Sequence, residues 1–65
     1  MADSTWRLTG SAATLDDIAD MMVKRASWSR PILAEDGTVT RSDGKVLEGW
    51  RVVRKGSRWR IEHKA

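Results

Sequence analysis

The sequence predicts an α+β domain in which one helix packs on a four- to five-stranded antiparallel meander sheet, in the order β-α-β-β-β-β. Apolar residues recur at helical spacing over one segment of about twelve residues. After that segment they alternate with polar residues, and glycine-containing turn pairs separate the alternating stretches. A helix with one apolar stripe and a sheet with one apolar face can bury each other as two layers.

Length and composition limit what the chain can be. We expect residues 1–5 to be a disordered N-terminus and residues 6–65 to form a single small domain. A chain of 65 residues buries only about 60% of its unfolded surface, so the core is thin and a homo-oligomer would help it. Cysteine is absent, which excludes disulfides and thiolate metal sites. The chain shows no signal peptide or membrane span, and we expect a cytoplasmic protein that contacts no membrane.

The first two elements have local signals. Residues 6–9 alternate apolar and polar side chains, which indicates a short strand that Gly10 interrupts. Thr14 is placed to cap a helix, with Asp17 three residues later. A helix is therefore predicted over 15–26, and its apolar stripe comprises Leu15, Ile18, Ala19, Met22 and Ala26.

Turn pairs divide the rest of the chain into four predicted strands, near 28–35, 38–42, 45–54 and 58–64. Asp36-Gly37 and Asp43-Gly44 are interpreted as two-residue hairpin turns that require positive φ. Gly56-Ser57 suits a type II′ turn between the last two strands. The strands should therefore pair with their sequence neighbours as a meander.

The last hairpin has two possible registers. With Gly56-Ser57 as the turn, Arg51 faces Glu62. A turn at Lys55-Gly56 would instead place Arg51 opposite Arg60, an unfavourable like-charge pair, so the first register is preferred. In either register one face carries Trp50, Val52, Trp59 and Ile61, which should lie under the helix. The other face carries Arg51, Val53, Lys55, Arg58, Arg60, Glu62 and Lys64.

Positive charge is concentrated in this hairpin. Residues 50–65 hold six of the twelve basic residues and one acid, a formal charge of +5, whereas the other residues sum to −2. Such a face offers donors to phosphates or to an acidic protein surface, although it could equally be a solvated surface that prevents edge-to-edge aggregation. The candidate binding residues are Arg51, Lys55, Arg58, Arg60 and Lys64, together with Arg30 and Trp28 near the junction after the helix.

Catalytic and metal chemistry are not indicated. Ser57 and His63 lack a nucleophile elbow or an oxyanion motif around them. The acids Asp16, Asp17 and Asp20 are explained by capping and by the helix dipole rather than by a metal site. We therefore expect a protein that is not an enzyme and carries no cofactor.

Two segments show a resemblance to a known group of proteins. Residues 55–61 resemble the wing of excisionase-type winged-helix DNA-binding proteins, and residues 14–19 are similar to the start of their first helix. The resemblance implies contact with DNA. In this chain the place of a recognition helix holds Ser29-Arg30-Pro31, followed by two Asp-Gly turns, so no second helix is predicted and no recognition residue is assigned.

Two functions remain open from the sequence. The first is a small non-catalytic binding protein whose basic C-terminal hairpin face engages the phosphates of DNA or RNA. The alternative is a protein-interaction module, such as a small phage or mobile-element inhibitor or adaptor that docks on a larger, possibly nucleic-acid-processing protein. It would use the same face or the edge near Trp28 and Met21. Steep salt dependence would favour the first.

Overall fold

The computed structural model describes residues 5–64, and it confirms the α+β class and the predicted element order. The elements are β1 (Trp6–Ala12), α1 (Leu15–Ala26), β2 (Ile32–Leu33), β3 (Val39–Thr40), β4 (Trp50–Lys55) and β5 (Arg58–Lys64). Thr5 is exposed and outside any element. The expectation of disorder over 1–5 falls almost wholly outside the described residues, and it stays a prediction.

Helix α1 has the predicted bounds because its end signals are local. Thr14 adopts an extended backbone, and its Oγ1 accepts a hydrogen bond from the Asp17 backbone N–H at 3.1 Å. At the other end Ser27 adopts a left-handed conformation, with φ 58°, and its N–H bonds to the carbonyl of Met22. The buried residues of the helix are Ile18, Ala19 and Met22, all from the predicted stripe.

The strands form two sheets rather than one meander. Strands β1, β5 and β4 make a three-stranded antiparallel sheet in that order, and β2 pairs with β3 alone. The strand predicted over 45–54 begins only at Trp50. Gly49, with φ 85°, lies in the turn before Trp50. In the earlier part of the predicted strand, Val46 forms an isolated β-bridge to Thr40. Strand β1, the first of the chain, pairs with β5, the last.

Strand β1 runs through the glycine that was expected to end it. The strand extends to Ala12, and the register with β5 shifts between Leu8 and Gly10, which marks a bulge. A Cβ atom at Gly10 would collide with the Met21 sulfur on the helix. Glycine leaves room here for the flexible end of the Met21 side chain, and the prediction that it interrupts the strand was wrong.

The two Asp-Gly turns are longer than predicted. Ala34 and Thr38 bracket a three-residue loop closed by an Ala34 N–H to Thr38 carbonyl bond of 3.0 Å, and Gly37 within it has φ 103°. Residues 41–45 repeat this arrangement, with φ 96° at Gly44. Only the glycine of each pair takes positive φ, so these are three-residue loops and not two-residue type I′ turns.

The last hairpin has the predicted register. Val52 pairs with Ile61 and Arg51 with Glu62, and Gly56 has φ 63°, the sign that a type II′ turn requires at its first central position. The fully buried centre of the protein is aliphatic and consists of Ile18, Met22, Val39, Val52 and Ile61. Trp28, Trp50 and Trp59 are half-buried and pack around that centre.

Candidate nucleic-acid interface

The three-stranded sheet has a covered face and an open face. Val52 and Ile61 point from the covered face into the cluster that contains the helix residues Ile18 and Met22. Because side chains alternate along a strand, the neighbouring positions point away from the helix. The open face is defined by the registers and comprises Trp6, Leu8 and Ser11 of β1, Arg51, Val53 and Lys55 of β4, and Arg58, Arg60, Glu62 and Lys64 of β5.

Five of the seven candidate residues lie together on this open face. They are Arg51, Lys55, Arg58, Arg60 and Lys64. With Glu62 as the one acid among the ten residues of the open face, its formal charge is +4. The other two candidates, Trp28 and Arg30, lie away from this face, so the structure does not join all seven in one surface.

Arg30 is engaged with the helix. Its Nη2 lies 3.1 Å from Asp16 Oδ1, and its Nη1 donates a hydrogen bond to Asp20 Oδ1. The hydrogen bond and the charge of the guanidinium both lower the pKa of the Asp20 carboxyl below its usual 3.8. Arg30 therefore joins the chain after the helix to the helix's first turns, and its charge is compensated there.

Trp28 belongs to the covered side of the sheet. Its ring packs edge-on against Trp50, with 4.8 Å between centroids, and Trp50 stacks on His63 at 4.3 Å. Trp28 and Trp50, with Pro31 and Leu47, border a cleft of about 400 Å³. The sequence made Trp28 a candidate binding residue, but it is half-buried and packs at this edge of the core.

The open face contains a buried carboxylate. Glu62 is only 8% exposed, and its Oε1 accepts a hydrogen bond of 2.8 Å from Arg51 Nε. Arg51 Nη2 forms an ion pair with the same oxygen, also at 2.8 Å. Arg60 Nε lies 3.8 Å from the other carboxylate oxygen. The Arg51 guanidinium also lies over the Trp6 ring, 4.2 Å from its centroid. The positive charge of Arg51 is therefore largely satisfied within the protein.

These contacts give the open face two different ends. Near the start of β1, the ring of Trp6 and the side chain of Leu8 flank the Arg51–Glu62 pair. Near the Gly56-Ser57 turn, Lys55 and Arg58 are exposed and directly opposite each other. A like-charge cross-strand pair is unfavourable for folding, which suggests that another role retains it. We call these the aromatic end and the cationic end.

The available cations differ in how they are held. Lys55, Arg58 and Lys64 are exposed, and none forms an ion pair with a carboxylate in the described part of the chain. Arg58 is oriented by a 3.2 Å hydrogen bond from its Nε to Ser11 Oγ on β1. Its terminal nitrogens can still donate in a planar fork to an anion.

Sequence reasoning missed the contribution of β1 to this face. Trp6 and Leu8 alternate along one strand, so a shared face was foreseeable. Their position beside β5 was not foreseeable, because the predicted meander pairs strands that follow each other in the sequence. Leu8 is 51% exposed, and Trp6 is half-buried.

Comparison of the chain with protein-family models, with curated proteins and with solved structures gives no match. The helix within residues 5–64 is too short and too polar to cross a membrane.

Proposed function

We propose that this protein is a small, non-catalytic binding protein whose open face engages nucleic-acid phosphates. The observation that carries the proposal is the exposed cation set Lys55, Arg58 and Lys64, displayed on one sheet face without a carboxylate partner among residues 5–64. Charge-assisted contacts to phosphate are about twice as strong as neutral hydrogen bonds.

The spacing of the cations supports a phosphate chain as the ligand. Arg58 and Arg60 are successive same-face residues of β5, which repeat at about 7 Å, and Lys64 lies two repeats beyond Arg60. That repeat is close to the phosphate spacing of an extended nucleic-acid strand. Lys55 on β4 lies directly opposite Arg58, so a phosphate near the Gly56-Ser57 turn can be held from two strands.

The fold supports binding that does not depend on the base sequence, because the helix is not placed to read bases in a groove. Sequence reading in duplex DNA relies on a helix or a ribbon that enters the major groove. Here α1 lies on the covered face, opposite the cations. We further propose that the protein acts in the cytoplasm. Disulfides are rare in this reducing compartment, so a chain without cysteine is at no disadvantage there.

Charge reversal at the cationic end tests the proposal. Lys55→Glu combined with Arg58→Glu should weaken binding of a fluorescent oligothymidylate by about a hundred-fold, since each lost contact costs about ten-fold. Both residues are exposed, and the pair is like-charged before and after the change, so the fold should survive. Arg60 is less suitable because a carboxylate there would lie beside buried Glu62.

The matched control is Lys24→Glu with Arg25→Glu, which removes the same charge from exposed residues at the end of the helix. It should bind almost normally. Equal loss in both double variants would show that only net charge matters, and loss in the control alone would place the working surface on the helix. A protein recovered by pull-down in the presence of nuclease, through a complex that Lys55→Glu/Arg58→Glu disrupts, would favour the protein-interaction alternative.

A further inference from the structure

We propose that the open face selects single-stranded over duplex nucleic acid, because a base can pack against Trp6 and Leu8 while the phosphates lie on the cationic end. The inference rests on the proposed function and specifies its ligand. It differs from that function in requiring the aromatic end, which phosphate binding alone does not use.

The first support is the aromatic end itself. Leu8 is 51% exposed on the open face, and Trp6 lies two residues before it on the same strand face. Aromatic side chains beside a basic groove are the usual means of holding single strands, since every base has a face that can stack.

The second support is the rigidity of the platform. The Arg51 guanidinium lies 4.2 Å from the Trp6 ring centroid and is itself fixed by a 2.8 Å hydrogen bond and an ion pair to buried Glu62. A ring held by such a chain of contacts loses little conformational freedom on binding. Because Arg51 lies over the ring, the base would meet Leu8 and the part of the half-buried ring that Arg51 leaves accessible.

The third support is the position of the cations along the face. Lys64 lies directly opposite Trp6 at the aromatic end, whereas Lys55 and Arg58 lie at the other end, and none of the three has a carboxylate partner within the described residues. From Arg58 to Glu62 the strand rises about 13 Å, roughly two same-face repeats of β5. A short extended strand can therefore place phosphates at the cationic end and a splayed base at the aromatic end.

Duplex nucleic acid cannot make the second contact. Its bases are stacked inside, and a flat sheet face reaches only the phosphates unless an element enters a groove. The open face should therefore bind a duplex through its charges alone, and Trp6 should not contribute.

Binding of short fluorescent oligothymidylate, oligouridylate and a mixed-sequence DNA duplex to the full chain tests this inference. The single strands should bind at least ten-fold more tightly than the duplex. Trp6→Ala should weaken single-strand binding by about ten-fold and leave duplex binding and the salt dependence unchanged. Trp6→Phe should restore most of the loss. Ile32→Ala, which truncates another exposed apolar residue on the small sheet, is the control and should bind normally.

The outcomes separate the inference from the proposed function. Equal affinity for duplex and single strands, or a Trp6→Ala variant that is folded by circular dichroism and binds single strands normally, overturns the inference while phosphate binding stands. If Trp6→Ala unfolds, Leu8→Ser replaces it, and unchanged single-strand binding by that folded variant overturns the inference too. The absence of binding to all three probes overturns both.

Discussion

At the scale of single residues, the side chains at the buried centre are aliphatic and three tryptophans pack around them. Ile61 and Val52 face each other across β4 and β5 and are fully buried, whereas Trp59 is half-buried. In this small domain, aliphatic side chains pack between the helix and the sheet because they fill the narrow space between the two layers. The tryptophans then extend the core outward and cover its rim.

Truncation of a central isoleucine should therefore be among the most damaging changes. Ile61→Ala removes a fully buried side chain and should lower the free energy of unfolding by about 2–5 kcal/mol. Ile32→Ala, at a residue that is 57% exposed, should change it by less than about 0.5 kcal/mol. Chemical denaturation measures both. Similar midpoints for the two variants would contradict the placement of the core.

Glu62 should affect stability and binding in opposite directions. Glu62→Gln weakens the interaction with Arg51, and because Arg51 is 40% exposed the loss of stability should be only about 1 kcal/mol. The same change raises the formal charge of the open face by one, so oligothymidylate should bind more tightly at low salt. Thermal melting and fluorescence anisotropy check the two effects. Weaker binding by a folded variant would mean that Glu62 serves the ligand directly.

At the scale of elements, the sequence predicted what local signals control. The cap at Thr14 and the apolar stripe defined α1, and the like-charge argument selected the register in which Arg51 faces Glu62. Pairing between β1 and β5 depends on residues about fifty positions apart, for which alternation gives no register. The contribution of Trp6 and Leu8 to the open face was missed for this reason. Gly10 was misinterpreted because the close approach of Met21 is a tertiary contact.

The contact between α1 and β1 can be tested by substitution at Gly10. Gly10→Ala places a methyl group against the Met21 side chain and should destabilise the protein by about 1 kcal/mol, since the flexible end of that side chain can move aside. In a Met21→Ala background the same substitution should cost less, because the colliding sulfur is gone. Urea denaturation of the four proteins gives the coupling energy. Additive costs would show that Gly10 is required for another reason.

The ion pair between Arg30 and α1 should be visible in an acid titration. Arg30 lowers the pKa of Asp20, so the pair contributes stability that is present above about pH 4 and is lost as pH falls through the lowered value. Arg30→Gln should raise the Asp20 pKa toward its ordinary range and flatten this part of the stability profile. Carboxyl NMR titration measures the shift. An unchanged Asp20 pKa would show that the pair does not persist in solution.

At the scale of the whole molecule, the two layers divide the work. The helix and the small β2–β3 sheet cover one face of the three-stranded sheet, where Ile18, Met22 and Val39 pack with Val52 and Ile61. That packing leaves the other face of the three-stranded sheet free to carry Lys55 and Arg58 at the surface. Lys55 and Arg58 therefore point away from the core, on the opposite side of the sheet. Substitutions at these two residues can alter binding with little effect on folding.

The salt dependence of oligothymidylate binding tests the central claim most directly. If Lys55, Arg58 and Lys64 each contact a phosphate, the logarithm of the association constant should fall with the logarithm of salt concentration with a slope of about −2, near −0.7 per contact. Lys55→Gln with Arg58→Gln should reduce the slope to about −0.7. A slope near zero, or one that the double variant leaves unchanged, would show that the open face does not bind nucleic-acid phosphates.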